Sequence, residues 1–158
     1  MVSVRPRHAS GFTLPELMAV VLIMAVLGAI AAPSLKDMVS SQRSKGVSSD
    51  LFASLIRARS EAIKRNTEVT LMPASAGQWQ AGWSIPNPAD SGNPLENHGP
   101  VPPITVAGPA SVVYLANGRL KGATAPSFQI SAGASQQVRC IRIDLSGRPS
   151  QTTGTCTS

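Results

Sequence analysis

The chain has 158 residues, enough for one domain of ordinary size or a small domain with an appendage, and too few for two large catalytic lobes. Hydrophobic residues make up 42% and charged residues 14%, which excludes a disordered polyampholyte and a nucleic-acid tail. Fourteen Lys and Arg against eight Asp and Glu leave +6, a surplus that fits a nucleic acid, a membrane surface or a targeting segment, so the placement of the charges must decide.

Aromatics stand at 4%, so a core must rest on Val, Ile, Leu and Ala. From Phe12 to Ala32 the only ionisable residue is Glu16, and the run from Leu17 to Ala32 is unbroken. About 20 apolar residues, rising ~1.5 Å each, match a hydrocarbon core of about 30 Å, so this segment is expected to cross a membrane. Arg5, Arg7 and His8 precede it without an acid, which by the positive-inside tendency holds the N-terminus in the cytoplasm. A secretory signal peptide would have a shorter apolar region, ending at a small-x-small cleavage site; here the small pair, Ser10-Gly11, stands before the run. A plain signal anchor fits the hydropathy equally well.

Glu16 separates these readings. A carboxylate at the bilayer centre costs about 2.5–3.5 kcal/mol on insertion scales, so it calls for a cationic partner. Cleavage after Gly11 would make Phe12 a free α-amine, mostly protonated at neutral pH, and the amine of one subunit could neutralise Glu16 of a neighbour. Alternatively Glu16 lies at the membrane edge, where a carboxylate near a helix N-terminus is mildly favourable.

Gly11-Phe12-Thr13-Leu14-Pro15-Glu16-Leu17, between a basic leader and an apolar helix, resembles the class III signal of type IV pilins and type II secretion pseudopilins. The resemblance implies cleavage after Gly11 by a prepilin peptidase, methylation of the new N-terminus at Phe12, and a role for Glu16 in recruiting subunits into a filament. Pro15 replaces the aliphatic residue of many relatives, and proline is tolerated in a first helical turn.

The helix is expected to run from about Thr13 to about Arg65, with a kink or local unwinding at Pro33. In its second half Val47, Leu51, Phe52, Leu55, Ile56, Ala62 and Ile63 recur at helical spacing and form an apolar stripe, while Arg57, Glu61 and Arg65 fall four residues apart on another face as candidate ion pairs. Lys36 to Arg65 holds seven Lys and Arg against three Asp and Glu, read as a solvated face. Strands are predicted at 67–72, 79–85, 111–116, 127–131 and 138–145, with a turn at Asn117-Gly118, where both residues accept φ > 0. Between Pro86 and Pro109 seven prolines in 24 residues predict a long surface loop with a short edge strand, the segment expected to vary or to meet partners.

The order of long helix, Trp79-Gln-Ala-Gly82-Trp83 strand, Asn117-Gly118-Arg119 turn and closing Ile143-Asp-Leu-Ser-Gly147-Arg148 is similar to the family of the type II secretion minor pseudopilin H and the minor pilins FimT and FimU. That resemblance implies an α+β, pilin-like fold: residues 1–11 a removed leader, 12–32 a transmembrane and filament-core helix, 33–66 its amphipathic half, and 67–158 a periplasmic β-rich head with the proline-rich loop 86–109. It implies a single-pass inner-membrane protein that joins a pilus or pseudopilus, with prepilin peptidase and other pilins as partners.

Cys140 and Cys156 both fall outside the membrane in this topology and are expected to form a disulfide, closing a loop that stabilises by about 3 kcal/mol. No metal or cofactor is expected, since only His98 remains after processing. Enzymatic motifs are missing: no Gly-x-Ser-x-Gly, phosphate-cradling loop, CxxC or HExxH. From Ser111 onward Arg119, Lys121, Arg139, Arg142 and Arg148 are opposed only by Asp144, so duplex DNA remains an alternative partner. Some FimT-like relatives bind DNA through a basic Gly-Arg tail, but here Pro149-Ser150 follows Gly147-Arg148 without a second arginine. A membrane-anchored periplasmic domain unrelated to filaments is the other alternative.

Overall fold

The computed structural model describes residues 13–133 and 138–156 of the chain, the side chains at 31–34 and 36 excepted. It divides into two compact units, residues 1–37 and 38–158. One helix, α1 (Leu14–Arg65), belongs to both. The helix is unbroken through Pro33, so the unwinding expected there is not seen; a proline removes one intrahelical hydrogen bond, which the flanking turns can bridge.

In the first unit α1 is apolar on all sides, and every described side chain from Thr13 to Ile30 is exposed. Among the described residues no helix is both long and apolar enough to cross a membrane. The expected span 12–32 begins at Phe12 and ends at Ala31 and Ala32, whose side chains lie outside the described residues.

In the second unit α1 carries a stripe of Val47, Leu51, Leu55, Ala58 and Ala62, all buried. Ser44, Ser48 and Ser54 are buried with them. A small hydroxyl can sit in a helix face because it returns its proton to a carbonyl about one turn back, as Ser44 Oγ does to the Ser41 carbonyl at 3.2 Å. Phe52 is half-buried, while Ile56 and Ile63, expected in the stripe, are 44% and 51% exposed. They are apolar but out of phase with the 47–51–55–58–62 seam. The helix ends in a Schellman motif: Thr67 N–H donates to the Ala62 carbonyl, Asn66 N–H to that of Ile63, and Asn66 takes φ +51.

Among the described residues eight strands form two antiparallel sheets. β1 (Val69–Ser75), β2 (Gln78–Ile85), β3 (Glu96–His98) and β5 (Val112–Tyr114) lie in the order β3-β2-β1-β5. β4 (Thr105–Ala107), β6 (Ser127–Ser131), β7 (Arg139–Ile143) and β8 (Pro149–Thr153) lie in the order β4-β6-β7-β8. Alternate residues of both sheets, among them Val69, Leu71, Val112, Tyr114, Phe128, Ile130, Ile141 and Ile143, join the helical stripe in one buried cluster. Trp79 and Trp83 are its largest members; their rings supply the volume that a chain so poor in aromatics would otherwise lack.

The proline-rich segment supplies two short edge strands, one to each sheet, where one was expected. It is pinned at both ends: Trp79 Nε1 donates to the Pro109 carbonyl at 2.7 Å and Leu95 N–H to the Ile85 carbonyl at 2.8 Å. Pro149 opens β8, a strand not expected from sequence, at the one strand position where proline costs no ladder bond.

Candidate functional site

The N-terminal turn follows from four residues. Thr13 O accepts from Glu16 N–H at 3.1 Å and from Leu17 N–H at 3.2 Å, so Thr13 caps the helix and Pro15 falls in the first turn. Glu16 reaches back, its Oε2 accepting from Thr13 N–H across a long 3.5 Å. Thr13-x-x-Glu16 has the spacing of a capping box, and its Glu16 half is the one formed, with the carboxylate at the positive end of the helix. The Glu16 carboxylate thus lies at the start of the described helix. Gly11 and Phe12, the expected cleavage and methylation positions, lie outside the described residues.

Within the second unit two hairpin turns share one design. In the first, Gly118 N–H donates to the Leu115 carbonyl and Leu115 N–H to that of Arg119, both at 2.8 Å. In the second, Gly147 N–H donates to the Asp144 carbonyl at 2.9 Å and Asp144 N–H to that of Arg148 at 3.2 Å. Gly118 at φ +76 and Gly147 at φ +82 supply the left-handed residue of a type I turn with a bulge. Asn117 is not at positive φ; the expected two-residue turn is replaced by this longer one. Its carboxamide Oδ1 instead accepts from Arg119 N–H at 3.0 Å, and the Asp144 carboxylate plays that part in the other turn, accepting from Arg148 N–H at 3.0 Å and Ser146 Oγ at 2.6 Å. The Ser146 hydroxyl, with help from the Arg148 amide, holds Asp144 below the usual carboxylate range.

The two turns touch. A Cβ on Gly147 would overlap the Gly118 carbonyl oxygen. Arg59 of α1 clamps the pair, donating from Nε to the Gly118 carbonyl at 3.0 Å and from Nη2 to the Ser146 carbonyl at 3.3 Å. Burial pushes the neighbouring Tyr114 hydroxyl well above the ordinary tyrosine range, against the opposing pull of the Arg59 charge. Sequence reasoning missed Arg59, which looked like one more cation on a solvated face.

The basic residues singled out from sequence do not form one patch. Lys121 Nζ is paired with Glu68 Oε2 at 2.8 Å. Arg139 shares a face of β7 with buried Ile141 and Ile143, and its Nε is buried without a hydrogen-bond partner among the described residues. Arg142 is exposed on the opposite face, beside the disulfide. Arg119 and Arg148 each follow one of the two touching glycines. On the helix Glu61 pairs with Arg65 at 2.6 Å and with Lys64 at 3.9 Å, and the Arg65 hydrogen bond lowers its pKa. Arg57 turns instead to Glu96 at 3.7 Å, a partner 39 residues on. Cys140 and Cys156 form the expected disulfide, with Cα atoms 5.1 Å apart.

Residues 48–147, most of the second unit, match the family described as Type II transport protein GspH, and residues 6–32 match the Prokaryotic N-terminal methylation motif. The chain belongs to the GspH family. This places it among the pilins and pseudopilins, which are structural filament subunits rather than enzymes. Two crystal structures of the type IV minor pilin FimU from Pseudomonas aeruginosa (strain PAO1), in space groups P21 and P65, share the fold. Each is 24% identical to this chain with a TM-score of 0.60, over 68% of it and 87% or 91% of the FimU chain respectively. No curated protein matches the chain. GspH-family membership and the FimU likeness bear out the pilin-like α+β fold expected from the sequence.

Proposed function

We propose that the chain is a minor subunit of a type IV pilus or type II secretion pseudopilus, at or near the position where the filament begins. One observation carries this reading: the methylation motif leads directly into a helix whose apolar side chains, from Leu14 to Ile30, have no partner surface in their own unit. Exposed apolar surface of this extent needs lipid or neighbouring helices around it. In the proposed sequence of events the chain enters the inner membrane with its N-terminus cytoplasmic and its head periplasmic. It is cut after Gly11 by prepilin peptidase, methylated on Phe12, and drawn among other subunits as their helices replace lipid. Glu16, already turned toward the chain start, is the group that a neighbour's Phe12 amine would neutralise.

Mass spectrometry of the native protein tests the first step: it should begin at a methylated Phe12, and an intact Met1 would remove the reading in favour of a plain anchored domain. Glu16→Ala should reduce incorporation into filaments while membrane insertion stays intact; unchanged incorporation would refute the charge pairing.

A second reading, DNA binding during uptake, is favoured by Arg119 and Arg148 each following one of the two touching glycines. It expects a gel shift of duplex DNA by residues 38–158 that weakens as salt rises, and Arg119→Ala with Arg148→Ala should diminish it. No shift at low salt removes it.

A further inference from the structure

The outer edge of the first sheet is held to the helix by side chains that titrate. β3 is three residues long, pairs with β2 through Trp83, Ser84 and Ile85, and buries none of its own residues. Its contacts with α1 are polar. The Glu96 carboxylate accepts from the Ser54 hydroxyl and lies 3.7 Å from the Arg57 guanidinium. The His98 ring lies with Nε2 3.6 Å from Asp50 Oδ2 and stacks on Trp83, centroids 3.9 Å apart and planes 10° from parallel. These groups line one groove of about 360 Å³ between helix and strand.

The protonation of His98 is constrained by what it touches. The Gly99 carbonyl can only accept, so His98 Nδ1, 2.9 Å away, must carry a proton. In the neutral ring Nε2 then holds a lone pair beside a carboxylate oxygen, two acceptors with nothing between them. The imidazolium satisfies both contacts and places its charge over the indole face of Trp83. The other charged groups of the groove leave this pairing intact: Arg57 is turned to Glu96, and His98 is the only ion-pair partner of Asp50 among the described residues.

We propose that His98 is a proton-operated clasp. Protonated, it fastens β3 to α1, and with β3 the segment that runs on to β4. Neutral, it releases Asp50 and leaves β3 to its three-residue ladder, the flanking Leu95 and Val101 amide bonds to β2, the Trp83 stack and the Glu96 contact. On its other side β3 lies close against β2, since a Cβ on Gly82, at φ +103, would overlap the His98 carbonyl oxygen. Histidine is the side chain whose ordinary titration falls between about pH 5 and 8, so the clasp works over pH changes that leave carboxylates and lysines as they are.

Amide hydrogen exchange of the full chain in detergent micelles, at about pH 5.5 and about pH 8 and corrected for intrinsic rates, reads the clasp directly. Protection of residues 95–101 should be about two- to fivefold greater at the lower pH, the range expected of a partly exposed ion pair. Asp50 is exposed, so Asp50→Asn tests the pair without touching the core, and it should abolish the difference. His98→Phe, which keeps the stack, should do the same. Glu68→Gln, in the separate pair with Lys121, should leave it unchanged. Equal protection at both pH values in the native sequence, or a difference that survives Asp50→Asn, overturns the proposal.

Discussion

Gly147→Ala is the sharpest test of how the head is held together. Two costs follow from its position. The first is backbone strain: φ +82 is the left-handed region, where a Cβ costs roughly 1 kcal/mol or somewhat more. The second is contact. The new methyl would overlap the Gly118 carbonyl oxygen, with Tyr114 Cε1 3.2 Å away on the other side, so the two turns must part. Parting them draws the Gly118 and Ser146 carbonyls out of the Arg59 fork; hydrogen bonds to a charged group contribute about 1.5–3 kcal/mol each, and losing one of the two is enough. The sum is about 2.5–4 kcal/mol, or a fall in Tm of roughly 10–15 °C for a domain of this size. Gly77 provides the control: it sits at φ +71 with nothing within 4 Å of a Cβ, so Gly77→Ala carries the strain alone and should cost about 1 kcal/mol. Thermal unfolding of residues 38–158, which contain every buried core residue, followed by circular dichroism, measures both variants. Equal losses for the two would show that the contact between the turns, and Arg59 with it, contributes nothing.

Replacing Cys140 and Cys156 by serine should lower the stability of the same unit by about 3 kcal/mol, given a sequence separation of 16, read as a lower urea midpoint with the slope little changed. The depressed pKa of Asp144 gives a signed pH dependence. The carboxylate is favoured in the folded state, so its contribution is complete above the ordinary aspartate range and is lost as pH falls through the lower folded value. Asp144→Asn should flatten that acid limb of the stability curve, and a direct NMR titration should find Asp144 below the value of an unfolded peptide.

Much of the architecture is legible in the sequence where a pattern is local. The Val47–Leu51–Leu55 seam, the paired tryptophans around Gly82 and the strand 127–131 announce themselves because period and composition agree. Phase is harder to read than period. Ile56 and Ile63 are as apolar as Leu55 yet face outward, while Ser44, Ser48 and Ser54 go inward: Ser44 returns its hydroxyl to the Ser41 carbonyl, Ser54 meets Glu96 and Trp83, and Ser48 Oγ has no hydrogen-bond partner among the described residues. β3, β4 and β8 are too short, too polar or too rich in proline to show a period, and each lies at the edge of a sheet, where the partner strand and not the sequence decides the pairing. The candidate site divides likewise. Glu16 was visible through its spacing from Gly11, and the cysteine pair through compartment and number. Arg59 and the Asp50–His98 pair were hidden, since their partners lie 59 and 48 residues away and no window along the chain contains both ends.

The chain between Glu96 and Ala107 lends its first three residues to one sheet and its last three to the other. In between, Val101 N–H donates to the Gln80 carbonyl and Ile104 is buried, which leaves no slack. Lengthening this stretch by even a few residues would loosen two borders at once. The stretch just before it, 88–94, is tethered chiefly through Asp90 and its own neighbours Gly92 and Asn93, so added residues there would be absorbed as a larger bulge on the surface. Within a proline-rich region that looks uniform, decoration has one permitted address, and relatives that differ in length should differ there.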